Sequence, residues 1–478
     1  MQPVVDLPFL RVRGTDIVDD RDQTTLLRGY NVGGALNMEN FLTGYPGTES
    51  QQRRALFKAL GQSRYDLFFS RFLAGFFADA DAAYLASLGM NSIRLPFNYR
   101  HFEDDLQPFV LKEDGFALLD DVVASCRRHG LYVILDFHAL PGAQNRHWHS
   151  DNPTHHPMFW DHVHFQDRAV HLWEAIATRY RDEPAIAGYN VMNEPGDIDG
   201  VRIRPFYDRA VTAIRAIDEK HIIFLDGDRY ATDFSAFAEA PIHSNTVYAL
   251  HDYHLPGFSY GGPYPGTTHG TFVDRGQVER TFLARAEFMR ATGTPIYVGE
   301  FGPVFTGNPE QDTQRLALLK DQLDIYREHS ASWSLWGYKD IGGQGVVYAR
   351  PDSPWRRRIR PVTEKKARLG VDGWGSDDNA VRHIMDPIER TFAEEYPDFD
   401  PFPFGLRDWL TLLVRSIVLA EPMLADFELC FTDITDDDEV RELADSFRFE
   451  RCAIREPLAD LLAHSLQPEI SEPTIATG

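Results

Sequence analysis

Eight short runs rich in β-branched and aromatic residues recur between residues 27 and 336, spaced by longer stretches of helical pattern. The runs are Leu27 to Gly33, Ser92 to Phe97, Tyr132 to His138, Ile186 to Asn193, His221 to Asp226, Thr246 to His251, Pro295 to Glu300 and Ala331 to Trp336. Helical patterns cover Asp79 to Leu88, Ala117 to His129, Phe165 to Tyr180, Pro205 to Ile217, Arg275 to Thr292 and Gln311 to His329. Strands alternating with helices imply parallel βα units, and eight such units imply a closed barrel. The fold class expected is therefore α/β.

The 478 residues exceed what a (β/α)8 TIM barrel of about 250 to 330 residues needs. Residues 1–358 are assigned to the barrel and residues 359–478 to a mainly helical C-terminal extension packed on it. A basic, proline-containing connector is expected over Trp355 to Lys366, then proline-rich turns over Pro397 to Phe404. Helices follow over Leu406 to Ala425 and Asp438 to Ala463. The run Asp436-Asp437-Asp438-Glu439 suits the positive end of a helix dipole and lacks the ligand spacing of a calcium loop. The residues after Pro468 are expected to be disordered. No pattern in the extension points to its role, and none reports the oligomeric state.

A hydrophobic fraction of 43% and a charged fraction of 25% are ordinary for a globular chain. The formal net charge of −24 disfavours nucleic acid and anionic membrane as partners and suits a neutral substrate. The three cysteines, Cys126, Cys430 and Cys452, lie far apart and suggest no disulfide framework. The first residues, Met1 to Arg13, show no basic region followed by an apolar run. The apolar stretch Leu410 to Leu419 is short, is interrupted by Arg415, and cannot span a bilayer. These features lead us to expect a soluble, cytoplasmic protein.

The chemistry is concentrated where the runs end. Tyr189 to Pro195 reads Tyr-Asn-Val-Met-Asn-Glu-Pro, and Pro295 to Gly302 reads Pro-Ile-Tyr-Val-Gly-Glu-Phe-Gly. Each delivers a glutamate, Glu194 or Glu300, to the C-terminal mouth of the barrel, where such folds keep their active sites. Two carboxyls facing one cleft are what glycoside hydrolysis requires. The bland alternative is a pair of solvated strand-end residues. Arg94, Asp136-Phe137-His138, His251-Asp252-Tyr253 and Trp333 to Trp336 occupy the other strand ends.

Six such motifs, in order and each on its strand, resemble glycoside hydrolase family 5, the cellulase family, over roughly residues 25 to 355. The resemblance implies a retaining mechanism through a covalent glycosyl-enzyme, with Glu300 as nucleophile and Glu194 as acid/base. It implies that Arg94 and Tyr253 support the nucleophile and that Asn193 bonds the sugar 2-hydroxyl. It further implies that His138 and His251 line the pocket, with His251 positioning Glu194, and that Trp336 floors the sugar. No metal or cofactor is implied.

Arg28 to Glu39 resembles the start of the exo-β-glucanases of this family, with Glu39 on a glutamate that grips the terminal sugar; Ala35 stands where those enzymes carry tryptophan. Asp136 to Asn145 matches their Asp-x-His-x-x-Pro-Gly-x-Gln-Asn, which brings in Gln144 and Asn145. The loop Arg146 to His156, followed by His162 and His164, is histidine-rich; it reads as a substrate-facing wall around Trp148, with a metal site as the alternative. Phe258, Tyr260 and Tyr264, in the loop Pro256 to Gly270, are candidate aglycone contacts. The expectation is an exo-acting retaining β-glycosidase of small β-linked glycosides or oligosaccharides. The alternatives are an endo-β-1,4-glucanase or mannanase, a metal-dependent barrel hydrolase, and a non-catalytic carbohydrate-binding barrel.

Overall fold

The expected strands close on themselves in a computed structural model that describes residues 6–238, 243–258, 260–371, 374 and 378–467. In chain order they are β1 (Arg28–Asn31), β2 (Ser92–Asn98), β3 (Tyr132–Ala139), β4 (Ile186–Asn190), β5 (Ile222–Asp226), β6 (Thr246–His251), β7 (Ile296–Glu300) and β8 (Ser332–Leu335). Every neighbouring pair is parallel, and β8 pairs with both β7 and β1, which closes the sheet. The segment after Pro468, expected to be disordered, lies outside the described residues.

Side chains alternate across each strand, so one face climbs the barrel interior in steps of two. Tyr132 and Ile134 of β3, Ile222 and Phe224 of β5, and Val247 and Ala249 of β6 form an apolar interior cluster. The next residues in each series are Asp136 and His138, Asp226, and His251. The interior is thus apolar toward the N-terminal end and polar at the mouth. A hairpin of Arg11–Arg13 and Asp16–Val18 adds Leu10 and Ile17 to the apolar end.

Three features depart from the sequence reading. A 28-residue helix, Glu49–Phe76, precedes β2. Its sequence signal was available: the Gln51 side chain accepts from the Thr48 N–H at 3.0 Å, as in a capping box, and Phe68, Phe72 and Phe76 form a buried stripe. Gly61 interrupts this helix at φ +70°, a conformation other residues avoid. The expected connector is instead the helix Pro354–Leu369, capped by Ser353. Trp355, Ile359, Val362 and Lys366 bury one face of it, and that burial outweighs Pro361 in its interior.

The helix expected over Asp438 to Ala463 is divided. Asp437–Asp445 and Glu456–Ser465 are helical, and Cys452–Ile454 between them is a strand. That strand pairs antiparallel with Val347–Ala349, which pairs parallel with Lys339–Asp340 beyond β8. Asp436 caps the first of these helices by accepting from the Asp438 N–H at 2.9 Å, as the acidic run implied. The cysteines are unpaired, and Cys126 is fully buried. Among the described residues no helix is long and apolar enough to cross a membrane.

The extension is fastened through Trp355. Its indole is 0% exposed and donates to the Thr43 carbonyl at 2.8 Å. Its ring packs on Phe68 at 5.4 Å, Phe431 at 5.5 Å and Phe447 at 5.7 Å, joining the long N-terminal helix to the extension. Trp355→Ala should cost about 3–5 kcal/mol, as large-to-small changes at buried aromatic sites do. Urea unfolding of the variant should show the midpoint lowered accordingly; an unchanged midpoint would refute this anchoring role.

Candidate active site

One buried cation organises the mouth of the barrel. The Arg94 side chain is 0% exposed. Nη1 lies 2.8 Å from Glu300 Oε1 and 3.0 Å from Asn31 Oδ1. Nη2 lies 3.0 Å from Asp136 Oδ1 and 2.7 Å from Asn193 Oδ1, and Nε donates to Asn190 Oδ1 at 2.9 Å. Tyr253 Oη donates to the second Glu300 oxygen at 3.0 Å. Glu300 is pulled two ways. Burial pushes its pKa up, to about 7, and the Arg94 guanidinium opposes that rise.

Glu194 has no comparable support. His251 Nδ1 stands 2.7 Å from Oε1 and His149 Nε2 3.2 Å from Oε2. Both imidazoles are held neutral by burial, which lowers their pKa values. Burial first, then the Asp226 charge, raise Glu194 to about 8. A protonated Glu194 therefore donates to His251 Nδ1, leaving the Nε2 side toward Asp226 Oδ2 at 3.7 Å. The Glu194 backbone sits at φ +43°, a left-handed conformation that costs a non-glycine residue about 1–3 kcal/mol. It is pinned from both sides: its N–H donates to Asp226 Oδ2 at 3.0 Å, and its carbonyl accepts from Asn145 Nδ2 at 2.9 Å.

Glu194, His251 and Glu300 each bring an atom within 4.8 Å of the others. The nearest oxygens of the two carboxyls thus lie within 4.8 Å of each other, which fits the roughly 5–5.5 Å between the carboxyl groups of a retaining pair. A trio of this kind also has the makings of a metal site. Here, however, Glu194 is hydrogen-bonded to His251, and Glu300 is taken up by Arg94 and Tyr253. Among the described residues, the histidine-rich loop supplies no further cluster of three ligating groups.

Glu39 follows β1 and is 5% exposed. Its Oε2 accepts from Trp148 Nε1 at 3.0 Å, and its Oε1 is buried without a hydrogen-bond partner, 3.9 Å from His138 Nε2. Burial, with Glu300 next, lifts its pKa well above the usual carboxylate range. His138 is oriented by Asp136, with Nδ1 2.7 Å from Oδ2, and stacks on Trp336 at 5.2 Å and 10°. Gly33 makes room for that indole, since a Cβ there would come within 3.1 Å of it.

A cavity of about 540 Å³ opens over these groups, within the size range of sites for drug-sized ligands. Glu39, His138, Trp148, Glu194, His251, Tyr253, Glu300 and Trp336 line it. Arg94 and Asn193 support the wall from beneath. Gln144 and Asn145 are also fully buried behind it: Gln144 Nε2 donates to the His138 and Asn193 carbonyls at 2.7 and 2.9 Å. Both act as backbone braces. Phe258 and Tyr260 line the cavity, whereas the Tyr264 hydroxyl is turned onto Asp321 at 2.6 Å.

Sequence reasoning missed several participants. Asp226 ends β5 on the interior face, so strand alternation could have found it. Asn31 and Asn190 occupy comparable positions on β1 and β4. Trp374, Phe404, Asp408, Thr411, Leu412, Arg415 and Ser416 line the cavity from the extension. No local pattern marks them, because only tertiary packing brings them there.

Over residues 70–342 the chain matches the family model described as Cellulase (glycosyl hydrolase family 5). It is 44% identical over 469 residues to the protein named Beta-xylosidase of Phanerodontia chrysosporium, covering 95% of this chain and 98% of that relative. It is 27% identical over 384 residues to one named Probable glucan 1,3-beta-glucosidase A of Aspergillus clavatus, 76% of this chain and 85% of that one. Endoglucanase C of Acetivibrio thermocellus is 24% identical over 313 residues, 58% of this chain and 89% of that one. A solved endogalactoceramidase shares the fold at TM-score 0.51 and 19% identity, covering 75% of this chain and 78% of its own.

Proposed function

Because the chain belongs to the cellulase family, glycosyl hydrolase family 5, a family of retaining O-glycosidases, we propose that it is an exo-acting β-glycosidase of short β-linked glycosides. The observation that carries this reading is the close carboxyl pair with unequal support, set in a cavity bounded by Glu39. Glu300, held by Arg94 and Tyr253, attacks the anomeric carbon. Glu194 gives its proton to the leaving oxygen. The product is a glycosyl-enzyme ester on Glu300. Glu194, now ionised, takes a proton from water, which displaces the sugar with net retention. Asn193, fixed by Arg94, faces the sugar 2-hydroxyl, and Trp336 offers its ring to the C–H face of the pyranose.

Glu39 sets exo action. A buried carboxyl with one unpartnered oxygen beside His138 suits the hydroxyls of a terminal sugar. The relatives named Beta-xylosidase and Probable glucan 1,3-beta-glucosidase A support that preference, and the first covers this chain through its extension. An endo-acting enzyme needs an open groove, whereas here the extension contributes a wall.

Glu300→Gly should abolish glycosyl-enzyme formation and lower turnover on the order of thousands-fold or more. A fluoro-sugar inactivator followed by peptide mapping should label Glu300; a label on another carboxylate overturns the assignment. The wild type should show a bell-shaped kcat/KM. Its acid limb falls as Glu300 gains a proton, and its alkaline limb as Glu194 loses the proton it must donate. Glu194→Ala should lose the alkaline limb, hydrolyse only substrates with good leaving groups, and be rescued by azide with a β-glycosyl azide as product. Equal losses on good and poor leaving groups would exclude the acid/base role.

Glu39→Ala should lower kcat/KM by about 0.5–1.5 kcal/mol, the net worth of a hydrogen bond between neutral groups, and by less on substrates lacking the hydroxyl it holds. Product analysis should find release from the non-reducing end alone. Rapid viscosity loss of a long β-glucan would sink the exo reading.

A further inference from the structure

The extension does more than cover the barrel, since it completes the cavity on one side. Two barrel aromatics carry its contribution. Tyr230 packs on His149 at 6.2 Å, and His149 contacts Glu194; on its other side Tyr230 meets Phe404 of the extension at 5.6 Å. Tyr253 packs edge-on against Trp374 at 4.6 Å, and Trp374 also meets Phe258 at 5.1 Å. The leaving oxygen is protonated by Glu194, so the leaving group lies on the Glu194 side of the sugar. That side is the one walled by Tyr230 and Phe404, while Glu39 and His138 bound the sugar.

Two polar groups in this aromatic wall lack partners. Asp408, in the first turn of the helix Leu406–Leu413, lines the cavity with no hydrogen bond or ion pair among the described residues. It lies near Tyr230 and Tyr260: burial first, then the Asp408 charge, raise both phenols. Trp374 Nε1 is buried with no acceptor. Asp408, part-exposed at the cavity between aromatic rings, is an acceptor open to a ligand that supplies a donor. This wall offers five rings, Tyr230, Phe258, Tyr260, Trp374 and Phe404, whose faces suit a planar aromatic group; its polar groups are Asp408, the Trp374 N–H, Thr411, Arg415 and Ser416.

We propose that the C-terminal extension builds the leaving-group subsite, that this subsite takes an aromatic aglycone bearing a free hydroxyl, and that Asp408 accepts the hydrogen bond of that hydroxyl. The proposal rests on the β-glycosidase reading and names its substrate class: hydroxyaryl β-glycosides. Asp408 is a specificity residue that leaves the carboxyl pair untouched.

The test compares three substrates with the same β-linked sugar: a 4-hydroxyphenyl glycoside, the unsubstituted phenyl glycoside and a disaccharide. The two phenols are similar as leaving groups, so chemistry cancels between them. Asp408→Ala should lower kcat/KM for the hydroxyphenyl glycoside by about tenfold or more, mainly through KM, and change the phenyl glycoside by less than about twofold. Asp408→Asn, whose amide oxygen still accepts, should recover most of the loss. Equal losses on both aryl glycosides, or a loss confined to the disaccharide, would overturn the proposal. A wild type that cleaves the disaccharide but neither aryl glycoside would also overturn it while the glycosidase reading stands. Inactivity on all three would strike the glycosidase reading itself.

Discussion

A guanidinium buried inside the barrel sets the terms for everything at its mouth. Arginine stays protonated at any ordinary pH, so the Arg94 charge must be met where it lies. Glu300 and Asp136 meet it directly, at 2.8 and 3.0 Å, and three asparagines from β1, β4 and the turn after β4 take up its remaining donors. Each partner then fixes another group. Asp136 orients His138, the Asn193 side chain is fixed at the barrel mouth, and Glu300 has its charge favoured although burial alone would neutralise it. Removing one partner of such a network leaves a buried charge uncompensated, which explains why the polar interior is continuous from Arg94 to the cavity.

The same burial acts on Glu194 without a cation to oppose it at close range. Its neighbours are the neutral imidazoles His149 and His251 and the carboxylate Asp226, so the proton stays. Two identical side chains acquire different proton affinities from their surroundings alone. The positive φ of Glu194 belongs to the same arrangement: Asp226 and Asn145 hold its backbone on both sides.

How much of this was legible in the sequence follows the range of the interactions involved. The barrel strands were readable because β-rich runs and helical periodicity are local. The glutamates, Arg94, His251 and Tyr253 were readable because a strand end has a fixed address in a closed barrel. Gln144 and Asn145, expected among the site residues, brace its backbone rather than face its cavity, a distinction that depends on loop geometry. The strand Cys452–Ile454 exists through pairing with Val347–Ala349, and no residue-level preference announces it. The placement of Asp408 and Trp374 depends on how the extension packs, through Trp355, against a helix some three hundred residues earlier in the chain. That order of sequence separation is beyond any pattern argument.

Arg94 and its partners favour an ionised Glu300 while Glu194 keeps its proton. A carbon-13 NMR titration of the glutamate side-chain carboxyls, assigned through Glu194→Gln and Glu300→Gln, tests this most directly. Both should titrate above the ordinary glutamate range, with the higher apparent pKa on Glu194. A higher pKa on Glu300, or two carboxyls titrating like exposed glutamates, would contradict it.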